Sequence, residues 1–265
     1  MSAAAPSLPF VPSEQLAGHL VTWREADDLV PIAASSLAAP RPGVLGQCLT
    51  CHGPAGRRAR CYQCALHHEC AQGSLADVVV PVAYAAKGSA HAMRLWQYKS
   101  DQVQSPDAAP GPAELLRALL LRFLRDHGPC VWRAAGWPGG CAPTRVAVVP
   151  TGRARRGPHP LRVLIAPYVS TPWAQLRALP AAARERDLDP DRFRARGVAG
   201  ARVLLLDDTW TTGASAQSAA MALRRAGAAS VATVVLGRHV ASRHSAAAPF
   251  DPGRCAVHAA CGDGG

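Results

Sequence analysis

The sequence predicts an α/β protein: a mostly parallel sheet flanked by helices, with a small cysteine-rich module near the N-terminus. Three observations predict it. Short apolar, partly branched runs at Arg145–Val149, Val203–Leu206 and Ser230–Leu236 have the length and continuity of strands buried on both faces. Stretches with helical spacing accompany them, foremost Pro112–His127 and Ala214–Ala226. Upstream, Cys48-Leu-Thr-Cys51 and Cys61-Tyr-Gln-Cys64 make two CxxC pairs in a segment too short for a core of its own.

The 265 residues allow one full domain plus a small appendage. The formal charge of +11, carried by arginine far more than lysine against 18 acidic residues, predicts attraction to polyanions such as nucleic acid or phosphorylated substrates. Part of that charge is discounted as compositional bias, because Ala, Arg, Pro and Gly are all abundant. The N-terminal residues have no basic start followed by an apolar segment, and no run approaches the ~20 apolar residues of a membrane span. A soluble, cytoplasmic protein is expected. Nine cysteines, an odd number that includes two CxxC pairs, point to metal in a reducing compartment rather than to disulfides.

In chain order, residues 1–44 read as an N-terminal extension with an amphipathic helix from about Ser13 to Asp28. Residues 45–76 form the cysteine module. Paired thiolates two residues apart chelate one ion from a tight knuckle, and two knuckles complete a tetrahedral site. Cys48, Cys51, Cys61 and Cys64 are therefore expected to hold a structural Zn2+. His52, His67, His68 and Cys70 lie close enough in the chain to substitute for one cysteine, or are bystanders. Asp77–Tyr84 is a strand, and Lys87–Lys99 a short basic helix with Met93 and Trp96 facing inward. After a Pro-rich loop over 100–111 comes the helix Pro112–His127. Leu115, Leu116, Leu119, Leu120, Phe123 and Leu124 set its apolar face, Arg117, Arg122 and Arg125 its wet side, and Gly128 its stop. Residues 132–143 read as a loop.

The strand at Arg145–Val149 leads into Arg153-Ala-Arg155-Arg156-Gly157. Planar guanidinium groups pair bidentately with phosphate oxygens, so Arg153, Arg155, Arg156 and Gly157 suit a pyrophosphate; the bland alternative is a basic surface turn. Leu161–Tyr168 begins a helix, and Pro172, Pro180 and Pro190 make residues 170–198 loop-like. Arg184, Arg186, Arg192 and Arg194 lie there, either reaching phosphate or solvated.

The most informative stretch is Val203–Ser215. Its apolar strand stops at Asp207 and Asp208, and a hydroxyl-rich turn enters the helix 214–226, with Gly227 as its stop. The first N–H groups of a helix lack internal partners and the helix dipole favours negative charge there. Thr209, Thr211, Thr212, Gly213, Ala214 and Ser215 can thus cradle a phosphate, glycine letting the backbone approach the anion. Two carboxylates beside a phosphate repel it, so they suit vicinal hydroxyls or a metal-bound group of the same ligand, and a sugar phosphate meets both demands.

LLLDDTWTTGAS resembles the phosphoribosyl-pyrophosphate (PRPP) motif of type I phosphoribosyltransferases, with Trp210 where a smaller aliphatic residue is common. The resemblance implies the type I phosphoribosyltransferase fold over residues 77–245, Asp207 and Asp208 on the ribose hydroxyls as catalytic residues, the turn on the 5′-phosphate, and Mg2+ accompanying PRPP. The two CxxC pairs, the AYAAKG-like strand end and the short helix ending in Tyr98-Lys99 are similar to the ComF family, competence-associated phosphoribosyltransferase-like proteins with an N-terminal zinc ribbon. In the loop at 153–157 the family's Arg-Gly pair survives as Arg156-Gly157, while Pro158 and His159 replace its Phe-Asn. The resemblance further implies a flap within 170–198 and nucleobase recognition in a loop opened by Gly237-Arg238-His239. Its implied partners are PRPP or a nucleotide-like small molecule, single-stranded DNA and a second copy of the chain. Two roles stay open: phosphoribosyl transfer to a nitrogenous acceptor, or non-catalytic sensing of PRPP or nucleotide with binding of single-stranded DNA. The tail, 246–265, carries Cys255, His258 and Cys261 with ligand-like spacing, either joining the zinc site or idle.

If the charge serves nucleic acid, affinity for single-stranded DNA should fall steeply with salt, because each neutralised phosphate releases counterions. Replacing Arg57, Arg58 and Arg60 together by alanine should weaken binding in an anisotropy assay; a flat salt response leaves the charge as background.

Overall fold

The computed structural model describes residues 23–40, 43–71, 73–99, 110–151, 158–179, 186–241 and 248–258. Along the chain run α1 (Trp23–Ala34), β1 (Ala38–Ala39), α2 (Tyr62–Ala71), β2 (Val78–Ala86), α3 (Ala90–Gln97), α4 (Pro112–Ala134), β3 (Arg145–Val148) and α5 (Pro160–Ile165). Then follow β4 (Gln175–Ala178), β5 (Phe193–Arg196), β6 (Arg202–Trp210), α6 (Ala214–Arg225), β7 (Ser230–Val240) and β8 (Ala248–Pro249). The main sheet has the order β3-β6-β7-β2-β1-β8. Its first four strands are parallel, and the two-residue strands β1 and β8 add an antiparallel edge. β4 and β5 form a separate antiparallel hairpin.

Side chains alternate across a strand, and the core divides accordingly. Val146, Val148, Leu204, Leu206, Val234 and Leu236 join residues of α1, α3, α4 and α5 in one apolar cluster. Ala147, Val203, Leu205, Val231 and Val235 meet α6 in the other. Both faces are covered, which is why these strands are unbroken apolar runs rather than alternating ones.

Several elements depart from expectation. The described N-terminal helix runs to Ala34, through Pro31, because Ala26, Val30 and Ala33 bury a stripe against α4; residues 13–22 lie outside the described residues. On and after α3, His91, Leu95 and Tyr98 are buried, whereas Met93 and Trp96 are 51% and 69% exposed. The i, i+4, i+7 spacing of the buried set puts the expected pair on the wet side. Helix α4 passes through Gly128 and Pro129 to Ala134. Gly128 has no left-handed φ, and the Trp132 indole packs so closely on it that an added Cβ would lie 3.1 Å away. Trp132 and Trp137 stack with centroids 5.1 Å apart, so the expected loop at 132–143 is partly core. The region 170–198, read as loop, contains the β4–β5 hairpin.

The helix after the acidic pair ends as expected. Gly227 takes φ 92°, and the Ala228 N–H donates to the Leu223 carbonyl at 3.0 Å, a wrap that left-handed glycine permits. No helix among the described residues is long and apolar enough to cross a membrane.

Buried His91 makes the fold acid-sensitive. Its Nε2–H donates to the Leu236 carbonyl at 3.0 Å, and burial pushes its pKa down from 6.5 to about 4. Between those values the unfolded chain takes up a proton that the folded chain refuses. Stability should therefore fall as pH drops through that window, by ~3 kcal/mol when complete. Urea unfolding at pH 7 and pH 4 should show a smaller acid loss for His91→Gln than for the wild type.

Candidate functional site

Strand β6 carries the acidic pair, and it does not stop there. Asp207, Thr209 and Trp210 remain paired with Val235, Gly237 and Arg238 of β7. Both carboxylates are therefore inside the protein, at 9% and 5% exposure, rather than at a solvent-facing strand end. Alternation puts Asp208 on the face of Leu204 and Leu206, toward α3, and Asp207 on the face of Val203 and Leu205, toward α6.

Their surroundings differ in charge. The Tyr98 hydroxyl donates to Asp208 Oδ2 at 2.5 Å, and Lys99 Nζ lies 2.7 Å from the same oxygen. Burial alone would raise the Asp208 pKa, but the Lys99 charge and the hydrogen bonds from Lys99 and Tyr98 together bring it below the ordinary carboxylate value. At Asp207 burial first, and then the charge on Asp208, outweigh the more distant Lys99 and push the pKa well above the ordinary value. Its Oδ1 accepts the Asp208 N–H at 2.9 Å. One acid thus holds the negative charge while its neighbour tends to keep its proton.

Beyond the strand, Thr211 is exposed and Thr209, Thr212 and Ser215 are half-buried. Thr212 Oγ1 accepts the Ala214 N–H at 3.3 Å, which caps the first turn of α6, and Ser215 Oγ accepts from Arg192 Nη1 at 3.1 Å. Gly213 takes φ 84°, and an added Cβ would fall 2.0 Å from Trp210 Cζ2. The glycine expected to admit an anion makes room, on its Cβ side, for the indole of Trp210, which is 1% exposed.

Arg153, Arg155, Arg156 and Gly157 lie outside the described residues, but the chain on either side is placed. The Val149 N–H donates to the Leu206 carbonyl at 2.9 Å, so the chain leaves β3 beside the acidic pair. Further on, His159 Nδ1 accepts the Leu161 N–H at 3.0 Å, and the His159 charge contributes to the lowered Asp208 pKa. Of the arginines at 184–194, Arg184 lies outside the described residues and Arg192 is buried, with Nη2 donating to the Asp187 carbonyl at 3.0 Å. Arg194 lines a cleft of about 380 Å3 with Arg162, Arg177 and Arg196. Gly237, Arg238 and His239 belong to β7 and do not open a loop; parallel pairing with Ala83, Tyr84 and Ala85 of β2 carries the strand through them.

The four module cysteines come together as expected, with one sulfur from each of Cys48, Cys51, Cys61 and Cys64 within 4.8 Å of the others. They could hold a metal such as zinc. Cys48–Cys51 sits in a knuckle where the Cys48 N–H donates to the Gly53 carbonyl at 2.8 Å. The second pair is not a matching knuckle: Cys61 precedes α2 and Cys64 lies in its first turn. His52, His67, His68 and Cys70 are not part of the group. Cys255 and His258 do not join it either, lying instead against the last turns of α4, and Cys261 is outside the described residues. The expectation of metal rather than disulfides fails at Cys130 of α4, which is disulfide-bonded.

Two contributors have roles that the sequence does not announce. Lys99 reads there as a helix end and as part of the ComF resemblance, with no link to the acids, yet it supplies the charge beside Asp208. Arg238, 8% exposed, donates through Nε to Cys51 Sγ at 3.3 Å and through Nη1 to the carbonyls of Trp210 at 3.3 Å and Thr211 at 3.1 Å. It ties the cysteine group to the loop after the acids, which a Gly-Arg-His run within a strand does not announce. No family model, curated protein or solved structure matches the chain.

Gly213→Ala should destabilise the fold by roughly 2 kcal/mol or more, since it adds left-handed strain to a clash with Trp210. In Gly213→Ala/Trp210→Leu the clash is relieved, so chemical denaturation should give a double-mutant loss smaller than the sum of the single losses.

Proposed function

We propose that the chain binds PRPP or a related ribose 5-phosphate at the C-terminal ends of β6 and β3 and transfers its phosphoribosyl group to a nitrogenous acceptor. The observation that carries this reading is the continuous path from parallel strand to adjacent acids to the N-terminus of α6, beside the end of β3, which the arginine segment follows in the chain. In open parallel sheets, ligands bind outside the carboxyl ends of the strands. The resemblance to type I phosphoribosyltransferases and to ComF proteins supplies the ligand class. Thr209, Thr211, Thr212, Gly213, Ala214 and Ser215 would take the 5′-phosphate, and Arg153, Arg155, Arg156 and Gly157 the pyrophosphate. The cysteine group is read as a structural zinc site.

In the transfer, the bond from the anomeric carbon to pyrophosphate breaks and a bond to a ring nitrogen forms. Positive charge develops on the ribose between those events, and a fixed negative charge nearby stabilises it more in the transition state than in the ground state. Asp208, kept ionised by Lys99, fills that role. Asp207, with its raised pKa, is suited to exchanging hydrogen bonds with a ribose hydroxyl. Mg2+ would accompany PRPP, as the resemblance implies.

The cleft lined by Arg162, Arg177, Arg194 and Arg196 favours a second reading, in which the fold senses PRPP or nucleotide and the basic surface holds single-stranded DNA.

Calorimetric titration with Mg2+ and PRPP, run beside a pyrophosphate-release assay with a panel of nitrogenous bases, tests both. For an enzyme, Asp208→Asn should lower turnover about a hundredfold with a much smaller change in PRPP affinity. Asp207→Asn, close to isosteric with a protonated carboxyl, should cost less. Affinity changes without any turnover in the wild type favour the sensor, and failure of the wild type to bind PRPP or any ribose 5-phosphate defeats both readings.

A further inference from the structure

We propose that His127, Cys130, Cys255 and His258 form a second metal site, of zinc type, that closes when the chain is reduced. One ligand atom from each of the four lies within 4.8 Å of the others. Around a tetrahedral zinc such atoms would stand roughly 3.3–3.8 Å apart, so small rotations of the side chains bring them into place.

Both pairs have chelating spacing. His127 and Cys130 are three apart on α4 and so share one face of the helix. Cys255 and His258 span a turn in which the His258 N–H donates to the Cys255 carbonyl at 3.1 Å. One of the histidines, His127, is already oriented as a ligand. A carbonyl can only accept, so the 2.8 Å contact from His127 Nε2 to the Pro252 carbonyl fixes the proton on Nε2 and leaves a lone pair on Nδ1. That Nδ1 is buried without a hydrogen-bond partner, and so is Nδ1 of His258. A second partner holding the far nitrogen is the usual support of a metal-bound imidazole. His127 and Cys255 are each 4% exposed, which removes bulk water as the missing partner.

Cys130 is held in a disulfide in this structure. A thiol reductant must first deliver two electrons and two protons to that bond, converting both of its sulfurs to thiols. Metal binding then displaces the thiol protons of Cys130 and Cys255 to solvent. The site therefore has two covalent states: a disulfide on α4 under oxidising conditions, and a two-cysteine, two-histidine metal centre under reducing ones. The metal state acts on the edge of the sheet, since the tail bearing Cys255 and His258 also carries β8.

Metal content of chain purified in a thiol reductant tests the assignment. Wild type should carry one more zinc equivalent than Cys255→Ser and His258→Ala, while Cys255→His, which keeps a donor, should match wild type. Equal zinc in all four overturns the proposal. Should a variant fail to fold, X-ray absorption of the reduced, zinc-loaded wild type decides: nitrogen in the average zinc shell supports the site, and a sulfur-only shell, or a chain that takes up no zinc, overturns it.

Discussion

A buried guanidinium joins the two chemically distinctive parts of this protein. Arg238 reaches the cysteine group through Cys51 Sγ and the loop after the acids through the carbonyls of Trp210 and Thr211. Its path is tight: a Cβ on Gly53 would lie 2.6 Å from Arg238 Nη2. A cation with so little access to water needs opposite charge as well as hydrogen bonds. The carbonyls of Trp210 and Thr211 accept from its Nη1, and the Cys51 sulfur accepts from its Nε. The position of the cysteine group is thereby tied to the loop proposed to hold phosphate through one side chain.

The acidic pair follows a related constraint. Two adjacent carboxylates on a continuing strand must leave on opposite faces, so each meets a different environment. On the α3 side Lys99 and Tyr98 hold Asp208 ionised; on the α6 side burial dominates Asp207. A solvent-facing pair would have been two nearly equivalent acids. Extension of the strand through Trp210 makes them unequal, and that inequality separates a charge from a hydrogen-bonding group within two residues.

The far edge of the sheet depends on segments distant in the chain. Helix α1 lays Ala26, Val30 and Ala33 against α4, and Asp27 accepts from both Arg122 and Arg125. Those ion pairs are a quarter or more exposed, so each contributes little and the apolar stripe carries the contact. β1 and β8 extend the sheet beyond β2, bringing the N-terminal and C-terminal described segments together and setting the tail against α4.

What the sequence determined by itself was local. Runs such as Val203–Leu206 announce buried parallel strands, Gly227 announces a helix end, and two CxxC pairs announce a sulfur cluster, because each signal lies within a few consecutive residues. Gly128 misleads for the opposite reason: its local propensity to stop a helix is overridden by Trp132 packing on it and then stacking on Trp137. Likewise Gly237-Arg238-His239 has the composition of a loop, and pairing with β2 makes it strand. The acids, the turn and the cysteines of the candidate site were legible; what surrounds them was not. Only the tertiary structure brought Lys99 and Tyr98 to Asp208, Arg238 to Cys51, and the tail histidine and cysteine to α4. Periodicity records which face of an element is buried, but it carries no record of which distant side chain meets it there, and charge compensation inside a protein is decided by that meeting.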